Sequence, residues 1–347
     1  MKALNGAPVF RAGESQYYWE DVLLAAIRRG DWPTLERRTH EELAAIRWQT
    51  VAGVPVAAAT IEASAAEFRY ARGLVSADEM RAWLATWGLS AAEWMEWVRR
   101  DHARSMAADA RDKIAMDYPP SPAELKLAMP VTFVCSGIAD RFAQELARHA
   151  AATALEHVKP EAHEGWSGTT ELGELLAPFG TLRADWLRAR AVVVGRLDDA
   201  LVPLRTAAVT PTALRRELDA RHLDWVRVDY RSVVFASEHA AREAAWCVRG
   251  DGLDLAEVAA RAGATVRADR CYLCDVDGEL RAAFLGARAG ELIGPTRQNG
   301  CFALHQIDVK QLPSLQDPEM RRRAEDDVLQ KALAAAVHDR IQWQVAI

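Results

Sequence analysis

Long apolar runs are absent from the 347-residue chain, and its first residues lack the apolar core of a signal peptide. A membrane-spanning helix needs roughly 20 apolar residues in succession, and an export signal needs a shorter apolar core behind a basic start. Cysteine is sparse, with five residues scattered along the chain, which favours reduced thiols over a disulfide framework. We therefore expect a cytoplasmic protein without transmembrane segments.

Several motifs that mark cofactor or nucleophile chemistry are also missing. The sequence contains no phosphate-binding P-loop, no G-x-G-x-x-G turn and no G-x-S-x-G elbow. Basic residues are not in excess either, because the net charge is -6. An acidic chain argues against nucleic acid as the main partner. We expect no cofactor and no nucleic-acid-binding function.

Helical patterns with clear start signals fill the first part of the chain. Ser76 and Glu79 have the spacing of a capping box, in which each side chain accepts a hydrogen bond from the other residue's backbone. Ser90 and Glu93 repeat this spacing. Most of the 12 tryptophans lie within such helical patterns. We interpret them as buried anchors between helices, with a tryptophan-lined peptide groove as the alternative.

Two of these helical segments resemble one another. When residues 171–186 are placed on residues 79–94, Gly180 falls on Gly88 and Trp186 falls on Trp94. Each segment predicts a helix, a glycine break and a second helix with a tryptophan near its start. We interpret the pair as a degenerate internal duplication. A chance similarity between two amphipathic helix pairs is the alternative.

The pattern changes after Trp225, where apolar and polar residues begin to alternate. One face of the predicted strand carries Val226, Val228, Tyr230, Ser232 and Val234. Short helices and further strands follow. The chain then closes with a long helix that begins at Pro318, and its apolar stripe consists of Met320, Ala324, Val328, Ala332, Leu333, Val337 and Ile341. The whole predicts an α+β fold that is mostly helical.

Three characteristic segments follow one another between Val226 and Val309. They are RSVVFASEHAAREAAWCVR at 231–249, GLDLAEVAARAG at 252–263 and LGARAGELIGP at 285–295, and a strand led by Gly300 follows them. In this order they resemble a parvulin-type peptidyl-prolyl isomerase domain. The resemblance implies a small domain with the element order β-α3-β-α-β2.

The layout of the whole chain resembles that of the SurA-type foldases, which join a helical chaperone body, a parvulin domain and a returning C-terminal helix. Together with the helical patterns, the resemblance predicts four parts. These are an N-terminal helical domain at 1–118, a second helical segment at 119–220, a parvulin-like domain at 221–310, and a C-terminal helix at 311–347 that packs on the helical body.

The resemblance also implies where a pocket lies. Parvulins carry one histidine on the first strand and another on the last, and matching RSVVF and GCFAL to those strands puts Ser232 and Phe302 at the two positions. No residue is therefore assigned a catalytic role. Apolar positions of the family pocket fall on Val276, Leu280 and Phe284. The implied substrate-binding set is Ser232, Val276, Leu280, Phe284 and Phe302.

Three functions stay open at this point. The first is a polypeptide-binding foldase or peptide-maturation accessory, whose ligand is an extended or proline-containing polypeptide such as a precursor peptide. The second is an active prolyl isomerase, since this reaction breaks no bond and a catalyst needs only to bind the twisted amide more tightly than the planar forms. The third is a scaffold for a partner maturation enzyme.

A zinc site is the main alternative for the cysteines near the C-terminus. Cys271, Cys274, Cys301 and His305 have the spacing C-x2-C with C-x3-H. However, CFALHQI predicts a strand, and residues four apart in a strand are separated by about 13 Å. That separation is too long for two ligands of one ion with bonds of about 2 Å. We expect no metal, and a redox pair formed by Cys271 and Cys274 is a minor alternative.

Overall fold

A computed structural model of the protein describes residues 4–345, except 5, 154–168, 181–182, 198–200, 277 and 299. The fold is α+β and mostly helical, which confirms the predicted class. The chain divides into two compact units, Met1–Leu204 with Ala332–Ile347, and Arg205–Lys331. No helix in the described ranges is long and apolar enough to cross a membrane.

Helices and strands alternate irregularly along the chain. The helices are α1 (Trp19–Arg29), α2 (Trp32–Val51), α3 (Ala58–Ala71), α4 (Ala77–Trp87), α5 (Ala91–Met106), α6 (Arg111–Asp117), α7 (Pro122–Cys135), α8 (Ile138–Thr153), α9 (Thr169–Leu176), α10 (Ala184–Leu197), α11 (Leu201–Ala208), α12 (Pro211–Ala220), α13 (Glu238–Arg249), α14 (Leu255–Arg261), α15 (Gly278–Gly286) and α16 (Pro318–Arg340). The strands are β1 (Pro8–Ala12), β2 (Ser15–Tyr18), β3 (Arg227–Phe235), β4 (Val266–Tyr272), β5 (Leu292–Gln298), β6 (Cys301–Gln311) and β7 (Ile341–Trp343).

The two predicted capping boxes open α4 and α5. Ser76 Oγ accepts a hydrogen bond from the Glu79 N–H, and Glu79 accepts one from the Ser76 N–H at 2.7 Å. Ser90 and Glu93 make the same pair of contacts at the start of α5. Each box satisfies backbone donors that a helix start leaves without a partner. These local predictions are confirmed.

Aromatic side chains form the centre of the first unit. The ring of Trp19 lies 5.0 Å from that of Trp87 and 5.7 Å from that of Phe133, which is fully buried. The other buried tryptophans of this unit are Trp32, Trp94 and Trp97. Because they contact neighbouring helices, the interpretation as buried anchors is confirmed for these five, whereas Trp246 and Trp343 are exposed.

The two segments interpreted as a duplication adopt the same element order. Residues 79–94 belong to α4 and α5, which are separated by a break at Gly88 with a φ of 60°. Residues 171–186 belong to α9, a 3-10 turn at Ala177–Phe179 that ends at Gly180, and α10. Residues 181–182 of the second segment lie outside the described part. The common origin of the two segments stays an interpretation.

Two buried carboxylates connect helices of the first unit. Asp21 on α1 accepts two hydrogen bonds of 2.6 Å from the guanidinium of Arg190 on α10. Glu42 on α2 accepts a hydrogen bond from Arg38 at 2.7 Å and one from the Thr132 hydroxyl on α7 at 2.7 Å. Both carboxylates are completely buried. Burial raises the pKa of each, and the arginine partners oppose that rise.

A four-stranded antiparallel sheet of order β4-β3-β6-β5 forms the second unit together with its helices. The alternation predicted for β3 is confirmed. Val226, Val228 and Tyr230 pack in a cluster with α15. Val233 and Phe235 pack on the other face in a cluster with α13 and α14. Each face of the sheet therefore has its own apolar core.

A third apolar cluster joins the helices at the beginning and at the end of the second unit. Leu214 of α12, Trp225 and Met320 of α16 are buried together. The second unit extends from Arg205 to Lys331 and so includes α12 and most of α16, whereas the sequence predicts a small domain with boundaries at 221 and 310. Ala336 near the end of α16 belongs to the core of the first unit, and so does Ile341, which begins β7 and does not continue the helix stripe as predicted.

We expect Arg190→Ala to lower the free energy of unfolding of the first unit by about 3–5 kcal/mol, because it leaves the buried Asp21 carboxylate without its partner. Urea unfolding followed by far-UV circular dichroism measures this change.

Arg188→Ala on the same helix is the matched control. Arg188 lies 3.9 Å from Asp185, and both side chains are largely exposed, so its loss is expected to cost about 0.5 kcal/mol or less. Equal losses for the two variants would contradict a special role for the buried pair.

Candidate functional site

A buried histidine and a buried serine face each other on the two central strands of the second unit. His305 on β6 lies directly opposite Ser232 on β3. Their exposed fractions are 3% and 8%. Few polar side chains are this buried without a structural or functional reason. We therefore take this part of the sheet as the candidate site.

Strand alternation explains why His305 lies on the face of the sheet that packs against α15. On β6 the side chains of Phe302 and Leu304 pack with the cluster of α13 and α14. Ile307 packs with the cluster of α15 on the other face. His305 shares the face of Ile307, because side chains two apart in a strand lie on one side of the sheet.

The glycine of the GELIGP segment allows β5 to approach β6 closely. Gly294 has a φ of 106°, and a Cβ atom at this position would lie 2.6 Å from the carbonyl oxygen of Ala303. Only glycine fits this backbone conformation and this contact. The approach lets Thr296 pair with Ala303 and brings its hydroxyl next to His305.

Hydrogen bonds fix the polar groups of the site. The Ser232 hydroxyl donates to Asp269 Oδ2 on β4 at 2.7 Å. Thr296 Oγ1 lies 3.0 Å from His305 Nε2 and 3.3 Å from the carbonyl oxygen of Ala303. If the threonine hydroxyl donates to that carbonyl, it must accept from Nε2–H, which assigns the proton of the neutral ring to Nε2. His305 Nδ1 is then a buried acceptor without a hydrogen bond among the described residues.

Aromatic and aliphatic side chains surround the imidazole. The rings of Tyr230 and Phe284 each lie edge-on to His305 with centroids 5.6 Å away. Val276 and Leu280 pack at the border of this cluster and are half-buried. We call the following set the His305 site: Tyr230, Ser232, Asp269, Val276, Leu280, Phe284, Thr296 and His305.

Burial keeps the site largely uncharged at neutral pH. It lowers the pKa of His305 below the ordinary value of 6.5, and the exposed Asp269 carboxylate opposes this shift. Burial also raises the pKa of Tyr230 to about 12 and that of the Cys271 thiol to about 11. The thiol is therefore protonated at pH 7, which does not favour nucleophilic chemistry. The arrangement is suited to binding an uncharged, apolar group next to a few fixed hydrogen-bonding groups.

Of the five residues expected at the pocket, Val276, Leu280 and Phe284 pack in one cluster, and Ser232 lies opposite His305 on the same face of the sheet. The fifth, Phe302, pairs with Phe235 and packs on the opposite face of the sheet. The expectation that Ser232 and Phe302 share one pocket is corrected by this register. The residue opposite Ser232 is His305, whose sequence spacing suggests only a zinc ligand.

The contributions of Tyr230, Asp269 and Thr296 were not predicted. The position of Tyr230 was predictable from the sequence, because the alternation of β3 puts it on the same face as Ser232. The positions of Asp269 and Thr296 were not predictable from the sequence. Only the pairing of β3 with β4 and of β5 with β6 brings these two residues close to Ser232 and His305.

The cysteines considered for zinc are spread over several elements. Cys271 lies on β4, Cys274 follows in a 3-10 turn and Cys301 begins β6, and all are free thiols. Over the described ranges, no group of three or more histidine, cysteine or acidic side chains is arranged to hold a metal ion.

Comparisons with known proteins add no family assignment: no protein-family model matches the chain, and no curated protein matches it either. The resemblance to parvulins rests on the segments at 231–249, 252–263 and 285–295.

We expect the imidazole of His305 to titrate below pH 6.5 in the folded protein, because burial disfavours the charged ring. The unfolded chain then takes up this proton first as the pH falls. The contribution to stability is thus complete above the unfolded pKa of about 6.5 and is lost as the pH falls through the folded pKa. Nitrogen-15 NMR of the histidine rings measures the titration, and urea unfolding between pH 5 and pH 7.5 measures the stability.

His305→Phe should flatten the fall of stability below about pH 6.5. The control is His239→Gln, which changes an exposed histidine of the same unit. A His305 titration at or above 6.5 would contradict the buried neutral ring.

Proposed function

We propose that the second unit binds an extended or proline-containing segment of polypeptide at the His305 site. The protein would then act as a foldase or as a peptide-maturation accessory, for which a precursor peptide is a suitable ligand. The observation that carries this proposal is the partly exposed apolar border of Tyr230, Val276 and Leu280 around a neutral, buried His305. Such a surface fits an uncharged ring of the size of proline.

Two further arguments support this class of ligand. Residues 226–309 resemble a parvulin domain, whose ligands are proline-containing peptides. Asp269 is the one charged group of the site and is already engaged by the Ser232 hydroxyl. A charged side chain of the ligand would find no buried partner, and burying it would be costly. We place the protein in the cytoplasm, and the five free thiols agree with a reducing compartment.

An active prolyl isomerase is the second candidate. One observation favours it, namely that His305 Nδ1 is a buried acceptor without a partner in the described part of the chain. A polar atom held beside aromatic rings can interact with an amide that rotates out of plane, and no proton transfer is needed for that rotation. Ser232 occupies the first histidine position of the family, and its proton is engaged by Asp269.

A scaffold for a partner enzyme is the third candidate. Trp246 on α13 is 78% exposed, although tryptophan side chains of this size are usually buried in part. Exposed tryptophans are frequent anchors of protein interfaces. This residue lies on a helix that packs on the face of the sheet opposite to the His305 site, so the two surfaces can be tested separately.

We expect short X-Pro peptides to show shifted NMR signals when they are mixed with the protein, and Val276→Trp to weaken this binding about tenfold or more by filling the border of the site. Val309→Trp is the matched control. Val309 is exposed and pairs with Asp229, so alternation places it away from the His305 site.

Exchange NMR on the same samples separates the candidates. Shifted signals without faster cis–trans exchange support a binding protein, and faster exchange that Val276→Trp abolishes supports an isomerase. Neither shift nor exchange, with the wild type correctly folded, rejects the His305 site as a peptide site. Trp246→Ala in a binding assay with a partner enzyme is then the next measurement.

A further inference from the structure

Five arginines line one small pocket of the helical first unit, far in sequence from the His305 site. The pocket has a volume of about 280 Å³. Its charged lining consists of Arg37, Arg38, Arg104, Arg111, Arg141 and Glu41. Arg37, Arg38 and Glu41 lie on α2, and Glu41 is one turn after Arg37. The other three arginines lie on α5, α6 and α8.

The acidic groups near this pocket do not balance the arginines. Glu41 is shared, since it lies 3.0 Å from Arg104, 3.7 Å from Arg111 and 3.9 Å from Arg37. Arg38 pairs with Glu42 and Asp101, which are outside the lining. Counting all three carboxylates as charged against the five arginines still leaves an excess of two positive charges.

Two buried donors of the pocket make no hydrogen bond to the described residues, although one of them, Arg111 Nε, forms the 3.7 Å ion pair with Glu41. Arg111 Nε and Ser136 Oγ have no hydrogen-bond partner among the described residues. Buried polar groups without partners are rare and costly in proteins. Ile138, the first residue of α8, also lines the pocket, so the positive end of that helix adds to the field.

Like charges also act on one another here. Burial lowers the pKa of Arg104, and the neighbouring Arg38 and Arg111 lower it further, while Glu41 opposes them. Several arginines placed this close together repel one another unless an anion binds between them. Arginine is the residue that best matches the planar or tetrahedral oxygens of carboxylates and phosphates.

We propose that this pocket binds the phosphate group of a small molecule, either free phosphate or a phosphate monoester. The excess of two positive charges matches the charge of about -1.5 to -2 that a phosphate monoester carries at pH 7, whereas a single carboxylate would neutralise only half of it. The volume lies below the 300–1,000 Å³ or so that is typical of pockets for drug-sized ligands. The pocket is therefore suited to a phosphate group and not to a large organic body. This inference concerns the first unit and does not depend on the proposed peptide site.

Isothermal titration calorimetry of the full-length protein in low-salt buffer tests the proposal with three probes. Inorganic phosphate and phenyl phosphate should bind in a saturable way, and acetate should bind at least about tenfold more weakly. Weaker binding of phenyl phosphate than of inorganic phosphate would identify the free anion as the ligand, and tighter binding of phenyl phosphate would identify a monoester. Acetate binding as tightly as phosphate would overturn the phosphate assignment.

Two arginine variants and a control locate the site. Arg111→Gln and Arg141→Gln should each weaken phosphate binding about tenfold. Arg141 is exposed at the start of α8, so its replacement keeps the fold even if that of Arg111 does not. Arg99→Gln changes an arginine of α5 that is not among the lining residues and should leave binding unchanged. Absence of saturable phosphate binding up to about 10 mM, or binding that survives Arg141→Gln unchanged, would overturn the proposal.

Discussion

The pairing of β3 with β6 is the constraint on which the second unit depends. Its register puts Ser232 opposite His305 and Phe235 opposite Phe302. Because side chains alternate, a shift by one residue would exchange the two faces and disrupt the packing of both apolar clusters against their helices. The same register determines which residues can form a site. Tyr230 contacts His305 because both residues lie on the same face of the paired central strands, and Phe284 of α15 packs on that face.

The first unit is stabilised in a different way, because charged groups lie inside it. Asp21 and Glu42 are buried at helix contacts, and each is satisfied by an arginine and further donors. Such pairs add little net stability over apolar packing, but breaking one is costly. They fix which helix faces meet. The arginine pocket is a region of the same unit in which this matching is incomplete.

Local features were predictable and long-range ones were not. The capping boxes at Ser76 and Ser90 depend on residues three positions apart, so the sequence alone predicts them correctly. The alternation of β3 is local in the same sense. The partner of Ser232 is not, because counting from Gly300 by the family pattern selects Phe302, while hydrogen bonding between distant strands selects His305. The arginine pocket escaped prediction for the same reason, since its residues come from four helices.

The first unit is built from two separate stretches of chain. Its three-stranded sheet has the order β2-β1-β7, so the last strand among the described residues completes a sheet whose other strands are near residue 10. The second unit is continuous in sequence. During synthesis, the continuous unit can therefore acquire its structure before the ribosome releases β7, while the helical unit must wait with an unfinished sheet edge.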